Sequence, residues 1–161
     1  MQLKTILNRI QKFNCFVYGS VRWVEDAQEP TIEADLRSRA NSRPICAGCG
    51  RRQPGYDRLP SRRFEFVPMW GIKVFCLYAP RRVNCPTCGV RVERMPWAEG
   101  KHRLTEAYAW FLAGWAKRLS WKEVAEAFRT SWDHVFNSVE MAVSWGRAHQ
   151  DLSGIKAIGI D

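Results

Sequence analysis

Cys46-Ala47-Gly48-Cys49-Gly50 and Cys85-Pro86-Thr87-Cys88-Gly89 are the two stretches on which the reading of this chain turns. Each is a C-x-x-C pair followed by glycine. A two-residue spacer lets one tight turn aim both sulfurs at a single ion. Zinc takes four ligands in a tetrahedron, and thiolate sulfur suits this borderline-soft metal. Two such turns close a four-sulfur site with no open position, so Cys46, Cys49, Cys85 and Cys88 are expected to hold a structural and not a catalytic zinc ion. The glycine after each pair is expected to let the chain pass close to the sulfurs without a side-chain clash. The competing reading is a pair of redox dithiols or unrelated thiols.

The gap between Cys49 and Cys85 is 35 residues, longer than the 15–20 of compact zinc ribbons. Its pattern accounts for the length. Phe64 and Phe66, then Ile72, Val74, Cys76 and Tyr78, alternate with their neighbours as strands do, and Pro68–Gly71 reads as the turn between them. The segment is expected to form a hairpin clamped at its base by the metal. Val90-Arg91-Val92 alternates after the second pair. Cys15 and Cys76 lack partners at ligand spacing, lie in apolar strand patterns, and read as ordinary core thiols.

Towards the N-terminus, Leu3, Ile6, Leu7, Ile10 and Phe13 fall at helical spacing. Phe16-Val17-Tyr18 and Val21-Arg22-Trp23-Val24, separated by Gly19-Ser20, read as strand, turn, strand. Ile32, Ala34 and Leu36 alternate with polar residues as in a half-exposed strand, and Ser38–Pro44 reads as a polar, basic linker.

Beyond the second pair the period changes. Tyr108, Phe111, Leu112, Trp115 and Leu119 form one stripe of a helix with Thr105 as N-cap. Ser120-Trp121-Lys122-Glu123 has the form of a capping box at the start of a short second helix. A third helix is expected from Ser131, with Trp132, Val135, Phe136, Val139 and Val143 on its apolar side. Ile155–Asp161 reads as a buried strand stopping at a carboxylate. Two short helices split by a brief turn match helix-turn-helix spacing. In such a unit Ser131, Asp133, His134 and Asn137 would face base edges, asparagine being suited to adenine and aspartate to cytosine. Against this, residues 132–146 contain no Lys or Arg and include Asp133 and Glu140, so the helix supplies almost no phosphate neutralisation. A helical bundle used for packing or self-association is the competing reading.

The chain has 161 residues and a formal net charge of +9, with a pI near 9.6, which favours an anionic partner. Residues 46–104 carry 12 Lys/Arg against 4 Asp/Glu, while residues 105–161 carry 6 against 7. The excess charge therefore surrounds the cysteine pairs. Arg51, Arg52, Arg62, Arg63, Arg81 and Arg82 are expected to grip the backbone of double-stranded DNA, with Lys117, Arg118 and Arg129 beside the helices. At 46% hydrophobic residues the chain can bury a core, and its eight Trp read as core anchors. No apolar run approaches the ~18 residues that span a bilayer, so no membrane partner is expected. A cytoplasmic, nucleoid-associated location follows, in which thiols stay reduced and bind metal.

The arrangement resembles the IS-L-three class of insertion-sequence transposases over almost the whole chain. The likeness rests on both cysteine pairs, Arg81-Arg82-Val83-Asn84-Cys85-Pro86-Thr87-Cys88-Gly89, Glu93-Arg94-Met95-Pro96, Arg103-Leu104-Thr105, the turn at Ser120, Val124 and Ala125, Ser131-Trp132-Asp133-His134-Val135 and Ile158-Gly159-Ile160-Asp161. It implies a zinc finger and helix-turn-helix that bind the element's terminal inverted repeats, followed by a ribonuclease-H-like domain of DDE type. That domain's three acidic residues hold divalent ions such as Mg2+ for two-metal chemistry. By the resemblance Asp161 is the first of the three, and the sequence ends there, so strand transfer by this chain alone is not expected.

The expected fold is α+β in small modules: an N-terminal helix and strands over 1–45, a basic four-cysteine zinc module over 46–100, an all-α helix-turn-helix over 104–150, and the start of a truncated ribonuclease-H-like domain over 153–161. The expected function is the DNA-binding portion of a transposase, with a homo-oligomer as a further partner. The alternative is a free-standing zinc and helix-turn-helix regulator or domesticated remnant, which has no evident use for a lone strand ending in Asp161. An RNA-binding zinc module is compatible with the charge but has no aromatic-rich signature.

Overall fold

The computed structural model describes residues 2–151 and Ser153. The expected strand Ile155–Asp161, and with it Asp161, lies outside the described residues. The chain divides into two compact units after Tyr108.

The first unit opens with helix α1 (Leu3–Ile10), which buries Leu7. Strands β1 (Phe16–Trp23) and β2 (Thr31–Ser38) follow, then β3 (Gly55–Arg58), β4 (Arg62–Met69), β5 (Ile72–Tyr78), β6 (Arg81–Cys85) and β7 (Gly89–Val92). They form a four-stranded sheet in the order β1-β2-β5-β4 and a three-stranded sheet in the order β3-β6-β7.

Two sequence expectations give way in the larger sheet. Gly19-Ser20 is not a turn between two strands, because β1 runs through it. Tyr18 opposes Leu36 and Val21 opposes Ala34, so Gly19 and Ser20 together face Asp35 as a β-bulge, and the Ser20 hydroxyl donates to the Asp35 carboxylate. The boundary expected at residue 45 does not divide the sheet either. β2 pairs in parallel with β5, Thr31 beside Lys73 and Asp35 beside Leu77, so strands lying between the cysteine pairs complete a sheet begun before them. A local pattern marks a strand but not its non-sequential neighbour.

The β4–β5 turn lies where its residues predict. Met69 pairs with Ile72, and the two residues between, Trp70 at φ 50° and Gly71 at φ 76°, have the left-handed backbone that matches hairpin twist. One face of this sheet carries the core. Phe16, Tyr18, Ala34, Leu36, Phe64, Phe66, Val74, Cys76 and Tyr78 pack with Leu7, Met95 and Trp97. Trp97, 1% exposed, meets Phe16 at 4.8 Å and Tyr78 at 5.1 Å edge-on. The opposite face is a ladder of ion pairs, Arg22 with Glu33 and Asp35, and Arg63 with Glu33.

The second unit continues helix α2 (Glu106–Trp115) into α3 (Trp121–Ala127) and α4 (Trp132–His149). Thr105 caps α2, its hydroxyl accepting from the Tyr108 N–H at 3.4 Å while donating to the Glu65 carbonyl. The capping box at Ser120 and Glu123 is formed in both directions. The α4 stripe is rotated from its expected position. Val135 and Ser138 are buried, whereas Trp132 and Val143 are half exposed. The tryptophans are likewise not general core anchors. Among the described residues Trp97 is the fully buried one, and Trp23, Trp70, Trp110, Trp115, Trp132 and Trp145 are exposed. In the helical unit they cover one another at the surface, as with Trp110 and Trp145 at 5.5 Å, because a unit of three helices has too little interior for rings of this size.

Candidate metal centre and basic surface

The four cysteines of the two pairs converge. Their Sγ atoms all lie within 4.8 Å of one another, with Cys49 and Cys85 at 3.6 Å. A tetrahedron with metal–sulfur bonds of about 2.3 Å has edges of about 3.8 Å, so this spacing fits one ion held by four thiolates. Four thiols at such separation repel one another once ionised, and a cation is what relieves that repulsion.

The first turn is built by backbone bonds around Cys46, whose N–H donates to the Arg51 carbonyl at 2.9 Å and whose carbonyl accepts from Gly50 at 2.9 Å. The second closes the β6–β7 hairpin, where Cys85 pairs with Gly89. Burial works to raise the Cys85 thiol. Backbone donors at Cys88 and Thr87, helped by the neighbouring thiols, outweigh it and bring the group down to about 7. Burial and the surrounding thiols push Cys88 up to about 12. Cys76 is outside the cluster, in the core, where burial raises it to about 12.

The glycines act differently from the expectation. A Cβ at Gly50 or Gly89 would meet nothing within 4 Å. They are required because the chain turns there at φ 69° and 72°, which side chains rarely adopt. The close approach belongs to Gly48, inside the first spacer. A Cβ there would stand 2.9 Å from the Cys88 Sγ and 3.7 Å from the Cys46 Sγ. The two turns thus interlock through a position that only glycine fits.

A residue that sequence reasoning misses joins this centre to the larger sheet. The Glu93 side chain is 0% exposed. It accepts from the Tyr78 hydroxyl at 2.5 Å, from the Arg81 backbone N–H at 2.8 Å, and from Arg81 Nε and Nη2 at 2.9 and 2.7 Å. Arg81 Nη1 also donates to the Ser42 carbonyl at 2.8 Å, and Glu93 pairs through its backbone with Cys46. Arg81, expected to grip DNA, is held instead against Glu93 in this geometry. Its side chain is 11% exposed and its charge neutralises a buried carboxylate. The signal for Glu93 is an acid embedded among basic residues, but only the fold shows it turned inward.

The other expected arginines differ among themselves. Arg51 and Arg52 are exposed beside the first turn. Arg62 donates to the carbonyls of Gly100 and His102, both at 3.1 Å. Arg63 pairs with Glu33 at 3.2 Å and lies over Phe75. Arg82 pairs with the exposed Asp57. In the helical unit, the Ser131 hydroxyl accepts from the His134 N–H at 3.2 Å, and the His134 ring meets Thr130 Oγ1 at 2.9 Å. Both side chains thus build the start of α4, while Asp133 and Asn137 are exposed.

Among the described residues no helix is long and apolar enough to cross a membrane. No family model matches the chain, and no solved structure matches it. Two curated proteins do: the transposases for insertion sequence element IS1557 from two strains of Mycobacterium tuberculosis, each 32% identical over 134 residues. The match covers 81% of this chain, which thus spans 30% of the length of each relative. By this match the chain is related in sequence to insertion-sequence transposases.

Proposed function

We propose that the chain is the DNA-recognition region of an insertion-sequence transposase of the IS-L-three class, and that it binds the terminal inverted repeats of its element as double-stranded DNA. The observation that carries this reading is where the charge collects. Residues 37–63 and 79–103, which build the thiolate module and the adjoining end of the larger sheet, hold 14 Lys/Arg against 3 Asp/Glu. Phosphate neutralisation supplies much of the affinity of DNA-binding proteins. Arg51 and Arg52 are the foremost backbone contacts in this reading, with Arg62 and Arg63 around them, and Arg82 lies at the same DNA-facing surface. Asp133 and Asn137 of α4 are proposed to face base edges.

The ion at the four-thiolate centre is proposed to be zinc, held by Cys46, Cys49, Cys85 and Cys88. With all four positions taken by sulfur it would supply folding energy and no Lewis-acid chemistry. Asp161 is proposed, by resemblance, as the first acidic residue of a divalent-metal site. Recognition, and not strand transfer, is the activity proposed for residues 2–151.

Anisotropy titration of a labelled duplex over a range of salt tests the reading. Binding should weaken linearly in log–log form as salt rises. Arg51→Gln with Arg52→Gln should flatten the slope by about one for each phosphate these side chains neutralise. Absence of duplex binding at low salt would refute the proposal, and an unchanged slope would remove these two arginines from the interface.

A further inference from the structure

We propose that the outward face of the β3-β6-β7 sheet reads base edges in the major groove of double-stranded DNA, with Arg82 contacting guanine and Asn84 contacting adenine. This rests on the DNA-binding reading above and assigns sequence choice to the thiolate module itself, independently of α4.

The sheet has two unlike faces. Val83 and Cys85 of β6 turn inward, where they pack with Cys46, Cys49 and Cys88. Arg82 and Asn84 occupy the alternate positions and so share the other face. Opposite them on β7 stand Val92 and Val90. Asn84 is exposed, and Val90 is 45% exposed. The cysteine cluster therefore backs the ribbon, while Asn84 and Val90 on its front are exposed.

Arg82 is held in a particular way. Asp57 takes its Nε at 2.6 Å and pairs with Nη2, and the guanidinium lies over the Tyr56 ring at 5.4 Å. A guanidinium has a side edge, made by Nε and one Nη, and an end edge, made by both Nη atoms. The carboxylate occupies the side edge, so the end edge is the one left to meet the paired O6 and N7 acceptors of guanine. Fixing the fork before binding lowers the entropy that recognition must overcome. The Asp57 carboxyl is held below the usual range by the Arg82 hydrogen bond, in keeping with a persistent pair.

Spacing and charge agree with this assignment. Residues two apart on a strand lie about 6.7 Å from each other, close to two base-pair steps of about 3.4 Å. The major groove admits a two-stranded ribbon. Asn84 supplies the donor and acceptor that adenine N7 and N6 require, and Val90 beside it offers an apolar surface to a thymine methyl. The basic surroundings of the ribbon favour nucleic acid over an apolar protein partner.

Selection from a library of duplexes with a randomised core tests the inference, using the metal-loaded full chain, Arg82→Lys and Asn84→Ala. The metal content of each variant reports that the module is folded. The wild-type chain should enrich a defined sequence. Arg82→Lys keeps the charge but loses the fork, and should lower discrimination about tenfold at one position without changing the salt slope. Asn84→Ala should do the same at a second position. If both variants enrich the wild-type sequence, or lose affinity equally on every duplex, the ribbon does not read bases. Wild-type binding without any enrichment overturns the inference and leaves the DNA-binding reading standing, whereas failure to bind any duplex overturns both.

Discussion

A single missing methyl group shapes the thiolate centre. Gly48 sits 2.9 Å, measured from where its Cβ would be, from the sulfur of a cysteine in the other pair. That sulfur cannot retreat without leaving the four-sulfur cluster. Gly48→Ala should therefore destabilise the module by about 1–3 kcal/mol, the usual range for overpacking a tight site, and should make it lose metal to a chelator at lower concentration. Gly50 provides the contrast, since its requirement is a left-handed backbone in open space. Asparagine adopts that backbone readily, so Gly50→Asn should keep a chelator midpoint near that of the unmodified protein. Equal effects at the two positions would show that the interlocking contact does not matter. Glu93 and Arg81 act at the same scale with the opposite sign of surprise. A buried pair of this kind costs about 3–5 kcal/mol when one partner is removed, so a surface role for Arg81 would compete with the stability of the centre.

The elements show where sequence signals are strong. Ser120 and Glu123 form a reciprocal cap at the start of α3, and the Ser120 hydroxyl and backbone N–H hold the Glu123 carboxyl below its ordinary range. Ser120→Ala should lower stability by about 1 kcal/mol near neutral pH. A carboxyl with a lowered folded pKa stabilises above the unfolded value, about 4.3 for glutamate, and that contribution fades as pH falls through the lower folded value. The difference in thermal midpoint between Ser120→Ala and the parent should shrink in that acid window. A difference that stays constant there would mean that the charged cap is not the source. The Trp70-Gly71 turn and the Gly19-Ser20 bulge are the harder cases. Both pairs contain a glycine and both read as turns, but the strand partners of β1 make Gly19-Ser20 a bend within one strand.

At the scale of the whole molecule, the two sheets of the first unit stand on different foundations. The larger one rests on a core that includes Leu7, Phe64, Val74, Tyr78 and Trp97. The smaller one buries Cys46, Val83 and Cys85 with little besides the other two cysteines, Cys49 and Cys88. A metal bound by the four thiolates would then supply most of its folding energy. On chelation, amide hydrogen exchange in β3, β6 and β7 should accelerate first, while β1, β2 and β5 retain protection. Simultaneous loss throughout the unit would show that the centre supports the larger sheet as well, with the buried Glu93–Arg81 pair as the route.

The sequence alone determined the features that depend on near neighbours. Two C-x-x-C pairs named the four cysteines that converge, because a candidate soft-metal site is written in residue type and short spacing. Ser120 and Glu123 named a cap, and alternation named most strands, because these too are local. Tertiary structure decided what depends on distant partners. It carried β2 across to β5, moved the need for close approach from the trailing glycines to Gly48, turned Arg81 inward to Glu93 and left Arg82 on the surface with Asp57. Two adjacent arginines on a strand point to opposite faces, and which face is buried is settled by packing that no window of sequence contains.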